Sequence, residues 1–96
     1  MFAWDAAKAA RNLLKHGVSF EEAVTIFADP DALDWADAAH SQTEARFKRI
    51  GKSVGGRILL VVYTVRRLKH EKETVRIISA RQGSRKERKA YAGLSH

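Results

Sequence analysis

The chain has 96 residues, 45% hydrophobic and 30% charged, with a formal net charge of +7 and no cysteine. This length fits a single domain over residues 1–96, the lack of cysteine excludes disulfides and thiol chemistry, and the longest apolar run, Ile58 to Tyr63, is far below the ~20 residues of a membrane span. The charge is polarised: residues 1–44 hold three Lys and Arg against eight Asp and Glu, and residues 45–96 hold fifteen against three, which points to a polyanion, most commonly nucleic acid, as the partner of the second half.

The first predicted element is a helix over WDAAKAARNLLKHG. Asp5 can cap it, apolar residues recur at Ala6, Ala9 or Ala10, Leu13 and Leu14, and Gly17 supplies a left-handed stop. A second helix opens at Ser19 with Glu22 three residues on, the spacing of a capping box. It sets Phe20, Ala23, Val24 and Phe27 on one face and ends before Pro30. Only Gly17 and Val18 separate the two helices, so a hairpin or corner is expected. DALDWAD, 31–37, alternates loosely and predicts a short edge strand with Leu33 and Trp35 on one face, while Trp4, Trp35, Phe20 and Phe27 are assigned to the core. ARFKRIG (45–51), RILLVVYTV (57–65) and TVRIISAR (74–81) read as three stronger strands, linked through KSVGG and RRLKHEKE in an antiparallel meander. Ser84 and Glu87 repeat the capping-box spacing, and a last helix is expected over 85–93. The whole predicts an α+β fold of two N-terminal helices, an antiparallel sheet of three to four strands and a C-terminal helix.

Familiar chemistries are eliminated first. Gly51-Lys52-Ser53 ends like a phosphate-binding loop, but Arg46 stands where its glycine is needed and a strand follows instead of a helix. His16, His40, His70 and His96 lie on separate elements without metal-site spacing, so neither a metal nor another cofactor is expected. Paired catalytic carboxylates are hard to find, because nearly all acids lie in the first half, where capping and solvation account for them. The N-terminus lacks the basic-then-apolar order of an export signal, so the expected setting is the cytoplasm.

IISARQGSRKERKAY, 77–91, is more informative. It passes from an apolar strand through a glycine into a helix start, with Arg76, Arg81, Arg85, Lys86, Arg88 and Lys89 at the seam. Strict alternation puts Arg76, Ile78 and Ala80 on one face of the strand, and Ile77, Ser79 and Arg81 on the other. Arg81 leaves the strand end beside the last helix, on which Arg88 and Tyr91 share a face, and Arg81, Arg88 and Tyr91 are expected to meet over one phosphate. Such a cluster suits RNA cleavage without metal. The ribose 2′-hydroxyl attacks its own phosphate, and guanidinium forks stabilise the charge that gathers on the non-bridging oxygens. The protein then adds a proton acceptor and donor, for which His16 is the candidate, with Tyr91 able to stack on a base or bridge a proton. Arg46, Lys48, Arg49 and Arg76 on the strands, with Arg85 and Lys89 on the helix, are candidate RNA contacts. The alternative is a noncatalytic nucleic-acid-binding module whose basic surface touches phosphates only.

FAWDAAKAARNLLKHGVSFEEAVTIFADP, EARFKRIGKSVGGRILLVVYTVR and RIISARQGSRKERKAY together resemble the BrnT family of type II toxin–antitoxin systems, over nearly the whole chain. The resemblance implies a small bacterial ribonuclease toxin with a RelE-like fold that blocks translation. It also implies a BrnA antitoxin, a ribbon-helix-helix protein that neutralises the toxin and represses their shared operon, so that operator DNA is met only through the antitoxin and no membrane is involved. Lys15 and His16, Arg46, Arg81, Arg88 and Tyr91 then occupy motif positions of the active surface. Toxins of the RelE-like kind use Arg, Lys and Tyr in place of a His and Glu pair.

Overall fold

The computed structural model describes residues 1–40, 44–67 and 72–93. Its elements run β1 (Phe2–Ala3), α1 (Ala6–His16), α2 (Phe20–Thr25), β2 (Leu33–Ala36), β3 (Arg46–Lys52), β4 (Ile58–Arg66), β5 (Thr74–Gln82) and α3 (Arg85–Gly93), with short 3₁₀ turns at Ile26–Ala28 and Ala38–His40. The helix ends follow the local chemistry read from the sequence. Asp5 accepts the Lys8 N–H at 3.0 Å, and Gly17, at φ 67°, closes α1 by donating its N–H to the Leu13 carbonyl. At α3 the capping box is complete: the Glu87 N–H donates to Ser84 Oγ at 3.1 Å and the Ser84 N–H to the Glu87 carboxylate at 2.7 Å. At α2 only half of it forms. The Glu22 N–H reaches Ser19 Oγ at 3.0 Å, but the Glu22 carboxylate turns to Ser53 and Arg57.

The sheet has five strands in the order β1-β5-β4-β3-β2. Strands β2 to β5 form the expected antiparallel meander, while β1 pairs parallel to β5 at Phe2↔Val75 and Ala3↔Arg76, making the sheet mixed. Two residues carry no alternation to read. Their pairing is fixed from outside, by β5 and by the Val75 N–H donating to the Met1 carbonyl at 2.8 Å.

Past Arg76 the outer edge of β5 is served by a side chain instead of a strand. Asn12 of α1 accepts the Ala80 N–H at 3.1 Å and donates to the carbonyls of Ala80 at 2.8 Å and Val18 at 3.0 Å. The inward residue of α1 is therefore a satisfied polar one, since a sheet edge offers backbone groups that an apolar residue would leave unpaired. Leu13 and Leu14, expected on the inner face, are 50% and 88% exposed.

The main core lies between one sheet face and the α1–α2 corner. Val18, Phe20, Ala23 and Ile26 pack on Leu59, Val61, Tyr63, Ile77 and Ala80, each large side chain contributing about 1.5–3 kcal/mol. Gly51 lets the Ile26 turn settle on β3, because a Cβ there would stand 3.0 Å from Ile26 Cβ and 3.2 Å from its carbonyl oxygen. Trp4 and Phe27 pack against this cluster. Trp35 does not: it is 41% exposed and sits beside Lys48 across the β2–β3 pair.

One irregularity re-sorts the faces of β5. The β4–β5 register steps from Val62↔Ser79 to Tyr63↔Ile77, leaving Ile78 as the extra residue of a β-bulge. Arg76, Ser79 and Arg81 consequently share one face and Ile77 and Ala80 the other, which corrects strict alternation for Arg76 and Ile77. The turn expected over 66–73 lies partly outside the described residues, and His70 and His96 lie outside them. No helix among the described residues is long and apolar enough to cross a membrane.

Candidate functional site

The face of the sheet opposite the α1–α2 corner carries a groove. Successive cross-strand rows place Arg46, Thr64 and Arg76 together, then Lys48, Val62 and Ser79, then Ile50, Leu60 and Arg81. Leu60, Val62, Ile78 and Ser79 line the groove along with Arg46, Lys48 and Arg81, and the 3₁₀ turn after β2 adds Asp37 and His40. The bulge is what brings Ile78 and Ser79 into the lining together, since both residues of a bulge lean toward one side. A second depression shares Ile78 and Ser79 and continues onto α1, where Lys8, Arg11, Lys15 and His16 line it. The two hollows meet along β5.

The structure thus brings Arg46, Lys48 and Arg81 to one groove and Lys15 and His16 to the hollow adjoining it. Arg76 occupies the row of Arg46. Arg49 is placed elsewhere, on the core face, where it donates to Asp34 at 3.1 Å and stands 5.1 Å from the centre of the Phe27 ring. Pleating alone separates it from Lys48. Arg85 and Lys89 are exposed on α3.

The expected meeting of Arg81, Arg88 and Tyr91 is replaced by three separate contacts. Arg81 grips Glu87 with two parallel bonds, Nη1 to Oε1 at 2.7 Å and Nη2 to Oε2 at 3.0 Å. Arg88 donates to the Gly83 carbonyl at 2.6 Å. Tyr91 donates its hydroxyl to Asp29 at 2.7 Å, the same carboxylate oxygen that accepts the Lys52 N–H at 2.7 Å. Glu87 and Tyr91, four apart on α3, share a face, so that helix is pinned at both ends of one stripe.

The electrostatics follow from these partners. The Arg81 guanidinium, aided by the Ser84 N–H, holds Glu87 down at about 2 despite its partial burial. The hydrogen bond to Asp29 pushes the Tyr91 phenol up to about 12, so at neutral pH it is a donor fixed to Asp29 and not a phenolate base. On the core face, burial and the Asp34 carboxylate raise Tyr63, whose hydroxyl donates to Asp34.

Sequence reasoning missed Asp37 and His40. The signal was the spacing Asp-Ala-Ala-His, which places an acid three residues ahead of an imidazole on a tight turn; weighing His40 only for metal-site spacing passed it over. His40 Nδ1 lies 3.0 and 3.2 Å from the two Asp37 oxygens. The Glu87 partner of Arg81 was also missed, since Glu87 was read only as a cap.

An α+β scaffold that gathers cations on one sheet face defines a class of small basic proteins with a seat for an anion. The chain matches the family of the ribonuclease toxin BrnT of type II toxin–antitoxin systems over residues 4–87, and it belongs to that family. Membership implies an RNA substrate and an antitoxin partner. Among solved structures the chain is similar to the Brucella abortus ribonuclease toxin BrnT, seen in a crystal structure at 1.1 Å resolution, with a TM-score of 0.63 and 25% identity over 88% of this chain and 99% of that one. No curated protein matches it.

Proposed function

We propose that the chain is a metal-independent endoribonuclease that cleaves RNA, arrests translation, and is held inactive by a BrnA-like ribbon-helix-helix antitoxin. The observation that carries this reading is the convergence of Arg46, Lys48 and Arg81 on one groove. RNA cleavage by its own 2′-hydroxyl needs a phosphate held in place and compensation for the charge of the transition state. Two guanidinium groups and an ammonium on a rigid sheet supply both. The Glu87 pair holds the Arg81 fork in a fixed orientation while leaving 40% of the side chain exposed for a phosphate oxygen.

The adjoining hollow extends the RNA path: Lys15 takes a neighbouring phosphate there and His16 lies beside it, while Arg76 continues the positive row of Arg46. Arg85 and Lys89 meet the backbone from α3, and Trp35, exposed beside Lys48, offers a ring face to a base. Tyr91, Arg88 and Arg49 hold the frame. The antitoxin neutralises by occupying the same groove, and operator DNA is reached only through it.

Inducible expression in a bacterial host without the antitoxin tests the reading. Growth arrest with loss of protein synthesis is the expected result; a host that grows normally at full expression overturns it. Purified protein that binds RNA but never cuts it establishes the noncatalytic binding module in its place.

A further inference from the structure

We propose that His40, oriented by Asp37, accepts the proton of the ribose 2′-hydroxyl in the cleavage step, a role that rests on the ribonuclease reading of the groove. His40 closes the 3₁₀ turn Ala38–His40 that follows β2. Its Nδ1 sits against both oxygens of the Asp37 carboxylate, at 3.0 and 3.2 Å. Asp37 is itself buried, and its backbone N–H donates to the Arg46 carbonyl at 2.8 Å, so the carboxylate is anchored to β3. A carboxylate at Nδ1 fixes the hydrogen on that nitrogen and leaves the lone pair on Nε2. The His40 side chain is 64% exposed and lines the same groove as Arg46, Lys48 and Arg81.

These are the parts of a positioned base: an orienting acid withdrawn from solvent, an imidazole turned outward, and cations beside the place where charge develops. His16, the imidazole that the sequence favoured, belongs to the adjoining hollow with Lys8, Arg11 and Lys15. In the step itself the 2′-hydroxyl gives its proton to His40 Nε2 as its oxygen bonds to phosphorus. The bond from phosphorus to the 5′ oxygen breaks, its electron pair stays on that oxygen, and water protonates it. The hydroxide so formed takes the proton back from the imidazolium. The products are a 2′,3′-cyclic phosphate and a 5′-hydroxyl end. The charged groups sharing the groove with His40 are Asp37 of the same turn, Arg46 and Lys48 of β3, and Arg81 of β5.

The test compares parent, His40→Ala and Asp37→Asn for cleavage of messenger RNA, both bare and on translating ribosomes. Affinity for a 2′-O-methyl RNA, which lacks the nucleophile, is measured alongside. His40→Ala is expected to lose about 10²–10³-fold in cleavage rate, the range of a positioned base, with affinity retained and with part of the rate restored by added imidazole. Asp37→Asn is expected to lose about tenfold or more through the wrong tautomer. His40→Ala cleaving at the parental rate overturns the proposal and leaves the ribonuclease reading standing. So does a slow His40→Ala that imidazole fails to rescue, since its defect is then structural. A parent that cleaves neither form of RNA overturns the ribonuclease reading and this role with it.

Discussion

Arg57 and Arg81 make the same bond in two regions of the molecule, and the contrast separates scaffold from site. Arg57 grips the Glu22 carboxylate by Nε at 3.0 Å and by Nη2, and also donates to the Gly17 carbonyl at 3.2 Å, while Ser53 donates to Glu22 at 2.6 Å. All of these partners tie the α1–α2 corner to the β3–β4 turn, and none of them lines the groove. Arg81 also grips its carboxylate, Glu87, with two bonds, through Nη1 and Nη2, but it stands on the groove. A bidentate ion pair therefore does not by itself mark a structural residue. Arg57 and Arg81 keep similar exposure, 33% and 40%, so the distinction lies in what surrounds the pair: only Arg81 opens onto the groove that Arg46 and Lys48 also line.

Substitutions break this comparison in a definite order. The largest effect is expected from Arg81→Ala, about 10²–10³-fold in single-turnover RNA cleavage, because a donor aimed at developing charge is lost, with stability changing by only about 1 kcal/mol for a half-exposed pair. Asn12→Ala comes next. It leaves buried backbone groups of Ala80 and Val18 unpaired and is expected to cost about 3 kcal/mol of stability, read by urea denaturation. Glu22→Gln is expected to cost about 2 kcal/mol while leaving cleavage per folded molecule unchanged, the reverse of the Arg81 result.

The smallest effect is one of pH. Arg81 depresses the Glu87 carboxyl in the folded state from 4.5 to about 2, so its stabilisation is fully present above pH 4.5 and is lost as the pH falls toward 2. Denaturation midpoints followed across that window should fall less steeply for Glu87→Gln than for the parent, by about 1 kcal/mol after allowance for solvent screening.

Much of the fold was legible because its cues are local. Asp5, Gly17 and the Ser84–Glu87 pair fix helix ends by their own hydrogen bonds, and the apolar runs of β4 and β5 announce strands whatever they pack against. The site was legible in kind but not in arrangement. Ile77, Ile78, Ser79 and Ala80 are all compatible with either sheet face, so nothing in their order reveals the bulge at Ile78 that turns Arg76 toward the side of Arg81. Lys48 and Arg49 were grouped by charge, although pleating always sends neighbours to opposite faces; Asp34 and Phe27, distant in sequence, are what receive Arg49. Nothing near Asn12 in the chain signals its burial, because the reason for it, the open edge of β5, lies 68 residues away.

The central claim is that RNA occupies the sheet face bearing Arg46, Lys48 and Arg81. Titrating a 2′-O-methyl RNA into isotope-labelled protein and following backbone amide shifts tests it directly. The expected result is a continuous set of shifted amides through Lys48, Ser79, Arg81 and, across β5, Lys15. Shifts confined to Phe27, Arg49, Lys52 and Val54, with the groove unmoved, would contradict the account.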